Sequence, residues 1–129
     1  MLVDYSKEKR LVQQYVDAYN AFDIDGMAAL LHPDVEFRNI SDGEVEVETK
    51  GIDEFRELAE QSKDVFSERC QTIKQFTLLP NKVEIEIDYE ATLAIDLPIG
   101  LNAGEKLKLQ GKSIFEIKDD KLIVIEDYS

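Results

Sequence analysis

From Val83 to Leu97 the chain alternates without a break. Val83, Ile85, Ile87, Tyr89, Ala91, Leu93, Ile95 and Leu97 are separated by Glu84, Glu86, Asp88, Glu90, Thr92, Ala94 and Asp96. Successive side chains of a strand point to opposite faces, so the pattern predicts one long strand with an apolar face on a core and an acidic face in water. A loop from Pro98 to Gly104 leads into a second strand. Its inner face carries Leu107, Leu109, Gly111, Ser113, Phe115 and Ile117, and its outer face carries Lys106, Lys108 and Lys112. An acidic strand facing a basic one predicts an antiparallel hairpin. The charge pairing adopted sets Asp96 opposite Lys106, Glu90 opposite Lys112 and Glu84 opposite Lys118, with Glu86 and Glu116 as one like-charge pair and Tyr89 beside Ser113. Asp119-Asp120 then turns the chain into a last strand, Lys121 to Tyr128.

The first half has helical periods. Leu11, Val12, Tyr15, Val16, Tyr19 and Phe22 recur at spacings of three and four, which predicts a helix ending near Phe22 with an aromatic stripe; Asp4 or Ser6 is its expected cap. Asp23 caps a second helix with Ile24, Met27, Ala28, Leu30 and Leu31 on its apolar side, stopped by Pro33. Val35 to Ile40 and Glu44 to Glu48 read as a small hairpin across Ser41-Asp42-Gly43. After Gly51 a third helix carries Ile52, Phe55, Leu58, Ala59, Ser62, Val65 and Phe66 on one side. From about Arg69 the chain is strand-like, with Ile73 and Phe76 out of phase and therefore a bulge between them. Three helices and a mostly antiparallel sheet make an α+β domain, one curved sheet wrapping the helices, over residues 1–129.

A formal net charge of −13, from 15 basic and 28 acidic residues, argues against nucleic acid and anionic membranes as partners, because both demand clustered cations. One cysteine, Cys70, rules out an intrachain disulfide; without a histidine in the usual activating motifs it is expected to be a buried, inert thiol. The charged N-terminal segment lacks the apolar core of a signal peptide, so a cytoplasmic protein is expected. His32, Asp34 and Glu36 include the only histidine but do not make a metal site, and no metal or other cofactor is expected. There is no glycine-rich phosphate loop.

The segment QQYVDAYNAFDIDGMAALLHPDVEF and the ending KSIFEIKDDKLIVIEDYS resemble the nuclear-transport-factor-2-like superfamily, which includes ketosteroid isomerases, SnoaL-like polyketide cyclases and limonene epoxide hydrolases. The resemblance implies a cone-shaped fold in which a bent sheet and helices enclose a deep, mostly apolar pocket, often in a homodimer. In the isomerases a carboxylate removes a proton beside a carbonyl, while a tyrosine and a protonated aspartic acid hold the oxyanion. Tyr15 matches that tyrosine. Asn39 stands where the base would be and Ser113 where the second donor would be, and an amide takes up no proton at neutral pH. Against the epoxide hydrolases, Phe37-Arg38-Asn39 resembles Tyr-Gln-Asn and Asp127 matches the carboxylate of a final Arg-Asp-Tyr, but the middle-strand Arg and Asp fall near Ile87 and Tyr89. The SnoaL-like cyclases work through acid–base residues in the pocket.

These residues define the expected site. Asp127 and Tyr15 are the candidate catalytic pair, and Tyr19, Asn39, Tyr89 and Ser113 are candidate ligand contacts, with Asn39 and Ser113 alternatively satisfying each other. The expected ligand is a small, largely apolar organic molecule. Two missing carboxylates tip the sequence toward a binding module; the alternative is an isomerase- or cyclase-type enzyme using Asp127 and Tyr15. A less charged outer patch of Thr92, Ala94, Gln110 and Ile114 is the expected homodimer surface.

Overall fold

A computed structural model describes residues 5–129. The elements run α1 (Ser6–Asn20), α2 (Ile24–Ala28), β1 (Leu31–Ser41), β2 (Glu44–Lys50), α3 (Ile52–Lys63), β3 (Phe66–Leu79), β4 (Lys82–Leu93), β5 (Lys106–Lys118) and β6 (Lys121–Tyr128). The strands form one open sheet in the order β2-β1-β6-β5-β4-β3. Only β1 and β6 run parallel, the last strand returning beside the first after β2, α3, β3, β4 and β5; the other neighbours are antiparallel. The result is an α+β cone with the helices inside the curve of a mixed sheet.

Turn chemistry closes the hairpins. Asp42 and Gly43, and again Asp119 and Asp120, have both central residues at positive φ, as the tight turns that match strand twist require. The core is the meeting of the α1 stripe (Val12, Tyr15, Val16) with Val83, Ile85, Phe115, Leu122 and Ile125 from the sheet and Met27 and Phe55 from the other helices. The edge strand β3 is tied to the end of α1 by Asn20, whose side chain accepts from the Gln71 backbone N–H at 2.8 Å and donates to the Gln71 carbonyl at 3.1 Å.

Several boundaries differ from the sequence reading. Tyr5 occupies the N-cap of α1 without a side-chain cap bond, Ser6 is the first helical residue, and Asp4 lies outside the described residues. The Asp23 carboxylate does cap α2, accepting from the Gly26 N–H at 2.8 Å, but the helix ends at Ala28 and Leu31 already pairs with Leu122 in the sheet. Phe66 begins β3, where it pairs with Leu93, so α3 stops at Lys63. A register shift falls between Ile73 and Gln75, where the phase change lies.

The β4–β5 register is a correction. Lys82 faces Glu116, Glu86 faces Lys112 and Glu90 faces Lys108, so Ser113 faces Ile85 and Tyr89 faces Leu109. The reason is that β4 stops at Leu93 although the alternation continues. Gly104 donates to the Leu93 carbonyl at 2.8 Å and the Asp96 carboxylate accepts from the Ala103 N–H at 2.8 Å, so Asp96 belongs to the loop rather than the ladder. The observed register contains three opposite-charge pairs and no like-charge one, so charge complementarity was a sound criterion applied to a strand drawn too long. An even shift leaves both strands' inner faces unchanged. Among the described residues no helix is long and apolar enough to cross a membrane.

Candidate functional site

Between the helices and the concave face of the sheet lies a cavity of about 430 Å³. Its walls are mostly apolar and aromatic (Met27, Phe37, Phe55, Phe66, Ile87), and among them stand Tyr15, Tyr19, Asn39, Tyr89, Ser113 and Asp127, all six of the residues singled out from the sequence. Exposed Leu109, Gln110 and Ser129 mark its open side. Volume and lining suit a small organic molecule.

One row across the sheet sets the polar floor. Asn39 on β1 pairs with Asp127 on β6, Asp127 pairs with Ser113 on β5, and Ser113 pairs with Ile85 on β4. Asn39 and Ser113 are therefore two strands apart, with Asp127 between them, and do not satisfy each other. Instead the Ser113 hydroxyl, almost wholly buried, donates to the Asp127 carboxylate at 2.6 Å. Asp127 is surrounded by protein yet keeps a partial opening, on the cavity it lines. Burial pushes its carboxyl up to about 6, against a smaller lowering effect of the Ser113 bond. Such a group changes charge within the neutral range, which is what a general acid or base requires.

The tyrosines stay protonated. Tyr15 stands edge-on to Phe115 at 5.6 Å between ring centroids, and burial first, the charge of Asp127 second, hold its phenol above the ordinary range. The Tyr19 and Tyr89 hydroxyls are 3.1 Å apart and share one hydrogen bond. Burial is also the largest influence raising each of these two. All three are thus hydrogen-bond donors at physiological pH, and none is a base.

Sequence reasoning missed Arg69. It starts the inner face of β3, pairing with Ala91 just as Gln71 pairs with Tyr89 and Ile73 with Ile87. Counting back in twos from Ile73 would have found it. Arg69 is 6% exposed and lines the cavity; its Nε donates to the Tyr19 carbonyl at 3.0 Å, and its guanidinium lies over the Tyr19 ring at 3.7 Å and the Phe22 ring at 4.4 Å. The same phase puts Cys70 on the outside, exposed, which corrects the expectation of a buried thiol. Arg38, from the Phe-Arg-Asn segment, also points outward. His32 accepts from the Asp34 N–H at 3.0 Å, and among the described residues no cluster of His, Cys, Asp or Glu could hold a metal ion.

Solved structures share this architecture. TsrD from Streptomyces laurentii superposes with a TM-score of 0.78 at 17% identity, over 98% of this chain and 90% of that one. A candidate polyketide cyclase from Xanthomonas campestris pv. campestris gives 0.76 at 21%, over 95% and 90%. An LEH-like epoxide hydrolase from M. tuberculosis gives 0.77 at 16%, over 95% and 82%. At these identities the likeness is one of fold. No curated protein matches the chain in sequence. The SnoaL-like domain model matches residues 12–125, nearly the whole chain, and with the cone, its cavity and the tyrosine-bearing first helix this makes the protein a member of the SnoaL-like family.

Proposed function

We propose that this protein is an acid–base enzyme acting on a small carbonyl-containing organic molecule, with Asp127 as the proton-transfer group and Tyr15 as the donor that holds the developing oxyanion. One observation carries the reading. A carboxyl titrating near pH 6 faces an apolar cavity and is held in place by Ser113. Ser113 therefore has a different use from the one the isomerase pattern implied: it orients the base in place of supplying a second oxyanion donor. As base, the Asp127 carboxylate takes a proton from carbon beside the carbonyl; the C–H electron pair moves into an enolate whose oxygen accepts from the Tyr15 hydroxyl. The proton then returns to another carbon, or the enolate carbon attacks a second carbonyl and closes a ring, the carbonyl π pair becoming an alkoxide that takes the proton back from Asp127. Among the fold neighbours, a candidate polyketide cyclase and an epoxide hydrolase are consistent with chemistry in such a cavity.

The second reading is a binding module without turnover, favoured by Asn39 standing where the isomerases keep their base. The two are separated by incubating the protein with a panel of aryl and cyclic ketones in deuterated buffer and following α-deuteration by NMR. Catalysed exchange that rises with pH through about 6 and is lost in Asp127→Asn is the expected result. Ketones seated in the cavity but exchanging at the buffer rate would establish the binding module. We further propose that the protein pairs with a second copy through the outer face around Thr92, Gln110 and Ile114; light scattering at tens of micromolar decides it, a monomer mass ending the idea.

A further inference from the structure

Two cationic residues line the cavity: Lys112 is paired with Glu84 at 3.2 Å, and Arg69 is left unfinished. Arg69 is only 6% exposed, and its Nη2 has no hydrogen-bond partner among the described residues. A buried guanidinium has five N–H donors in one plane and normally meets a carboxylate there. Here Nε is used by the Tyr19 carbonyl, and no carboxylate forms an ion pair with Arg69 among the described residues. The rings of Tyr19 and Phe22 cover its face, but stacking over the plane satisfies no donor in the plane. The one carboxylate of the cavity, Asp127, is committed to Ser113 on a strand separated from β3 by two others.

We propose that the molecule taken by this cavity is a small organic acid, an apolar body carrying one carboxylate, with that carboxylate bound by Arg69. This rests on the small-molecule reading of the cavity and names its substrate class. The arrangement is directional: the acid group goes to the β3 side, and the rest of the molecule extends over Tyr89 and Tyr15 toward Asp127. Arg69 and Asp127 both act on the same three phenols, so the tyrosines stand within electrostatic reach of both charges. A net charge of −13 repels anions from the protein as a whole, so a preference for an anionic ligand has to come from a local cation.

A matched pair of probes tests this: 2-naphthoate and 2-naphthamide, alike in shape and different in charge, titrated into isotope-labelled native protein. Naphthoate is expected to bind at least about tenfold more tightly, as a charge-assisted bond does over a neutral one. It should also shift the guanidinium nitrogen resonances of Arg69, while naphthamide should not; this readout needs no variant. In Arg69→Gln the preference should vanish while naphthamide binding persists. Equal binding of the two probes, with an unmoved Arg69, overturns the inference and leaves the small-molecule reading standing. No perturbation of cavity resonances by either probe overturns it too, and the ketone exchange experiment then judges the functional reading separately.

Discussion

On the outer face of the sheet, Arg38 donates to Glu48 at 2.7 Å, Glu126 at 3.2 Å and Glu36 at 3.3 Å. On the inner face, the more deeply buried Arg69 has one backbone carbonyl and two aromatic rings. The contrast runs against solvation, since desolvation penalises an unpaired ion most where it is most buried. The outer-face charge of Arg38 is saturated by its neighbours. Two of the charges lining the cavity, Arg69 and Asp127, are held by neutral groups and left without counter-ions of their own, as groups are when something else is to meet them.

Asp127 offers the largest test of that difference. Folding raises the pKa of this carboxyl from 3.8 to about 6, so the folded state holds the proton more tightly than the unfolded chain does. Its contribution is complete below about pH 4 and is lost as pH rises through about 6; above that, the buried charge weighs against folding by about 3 kcal/mol. Asp127→Asn, which keeps an acceptor for Ser113, is expected to match the native protein in urea melts at pH 4 and exceed it by about 3 kcal/mol at pH 8. The same change should abolish ketone exchange. A stability difference that does not vary with pH would mean that Asp127 is as well satisfied as an outer-face carboxylate.

Arg38 should respond in the opposite sense. Arg38→Met strands Glu36, Glu48 and Glu126 beside one another, and a loss of about 2 kcal/mol is expected at low salt, shrinking as added salt screens the repulsion. A loss unaffected by salt would assign Arg38 a packing role instead.

The outer face was the easier to read. Alternation fixed which residues of β4 and β5 face inward, and the site residues on them, Tyr89 and Ser113, survive a register error because an even shift cannot turn a strand over. Tyr15 and Asp127 were legible through their matches to the superfamily's first helix and last strand. Arg69 was not, for two physical reasons. A lone arginine near a predicted boundary reads as a polar terminus, and its burial depends on Phe66–Ser67–Glu68 being strand rather than the tail of α3, a matter settled by pairing with Leu93 and Thr92 across the sheet. Nor does any sequence period report that the carboxylate nearest the cavity is occupied by a serine.

Arg69→Met separates a waiting cation from a structural one. If the guanidinium is unfinished, an apolar side chain of similar length should leave stability within about 1 kcal/mol of native, since removing an unpaired buried ion also removes its desolvation cost. Breaking a satisfied buried pair typically costs about 3–5 kcal/mol. A loss of that size in a chemical melt would show that Arg69 is as fully partnered as Arg38.

The smallest effect is expected at Phe22. The α1 helix ends with Asp23 donating to the Ala18 carbonyl at 2.9 Å and Phe22 donating to Tyr19 at 3.1 Å, the crossed bonds that require a left-handed residue just past the helix. Glycine usually fills that position; here Phe22 does, at φ 56°. A bulky residue there costs about 1 kcal/mol, and its ring over Arg69 returns an amount of the same order, about 0.5–1 kcal/mol. Phe22→Gly should therefore change stability by no more than about 0.5 kcal/mol, far less than the roughly 3–5 kcal/mol of deleting a core phenylalanine. What it should change is the freedom of Arg69, which loses one of the two rings that confine it, so naphthoate affinity falls while naphthamide affinity does not. A variant that gains the full backbone relief with naphthoate binding intact would show that the strained turn serves the helix end alone and has no part in holding Arg69.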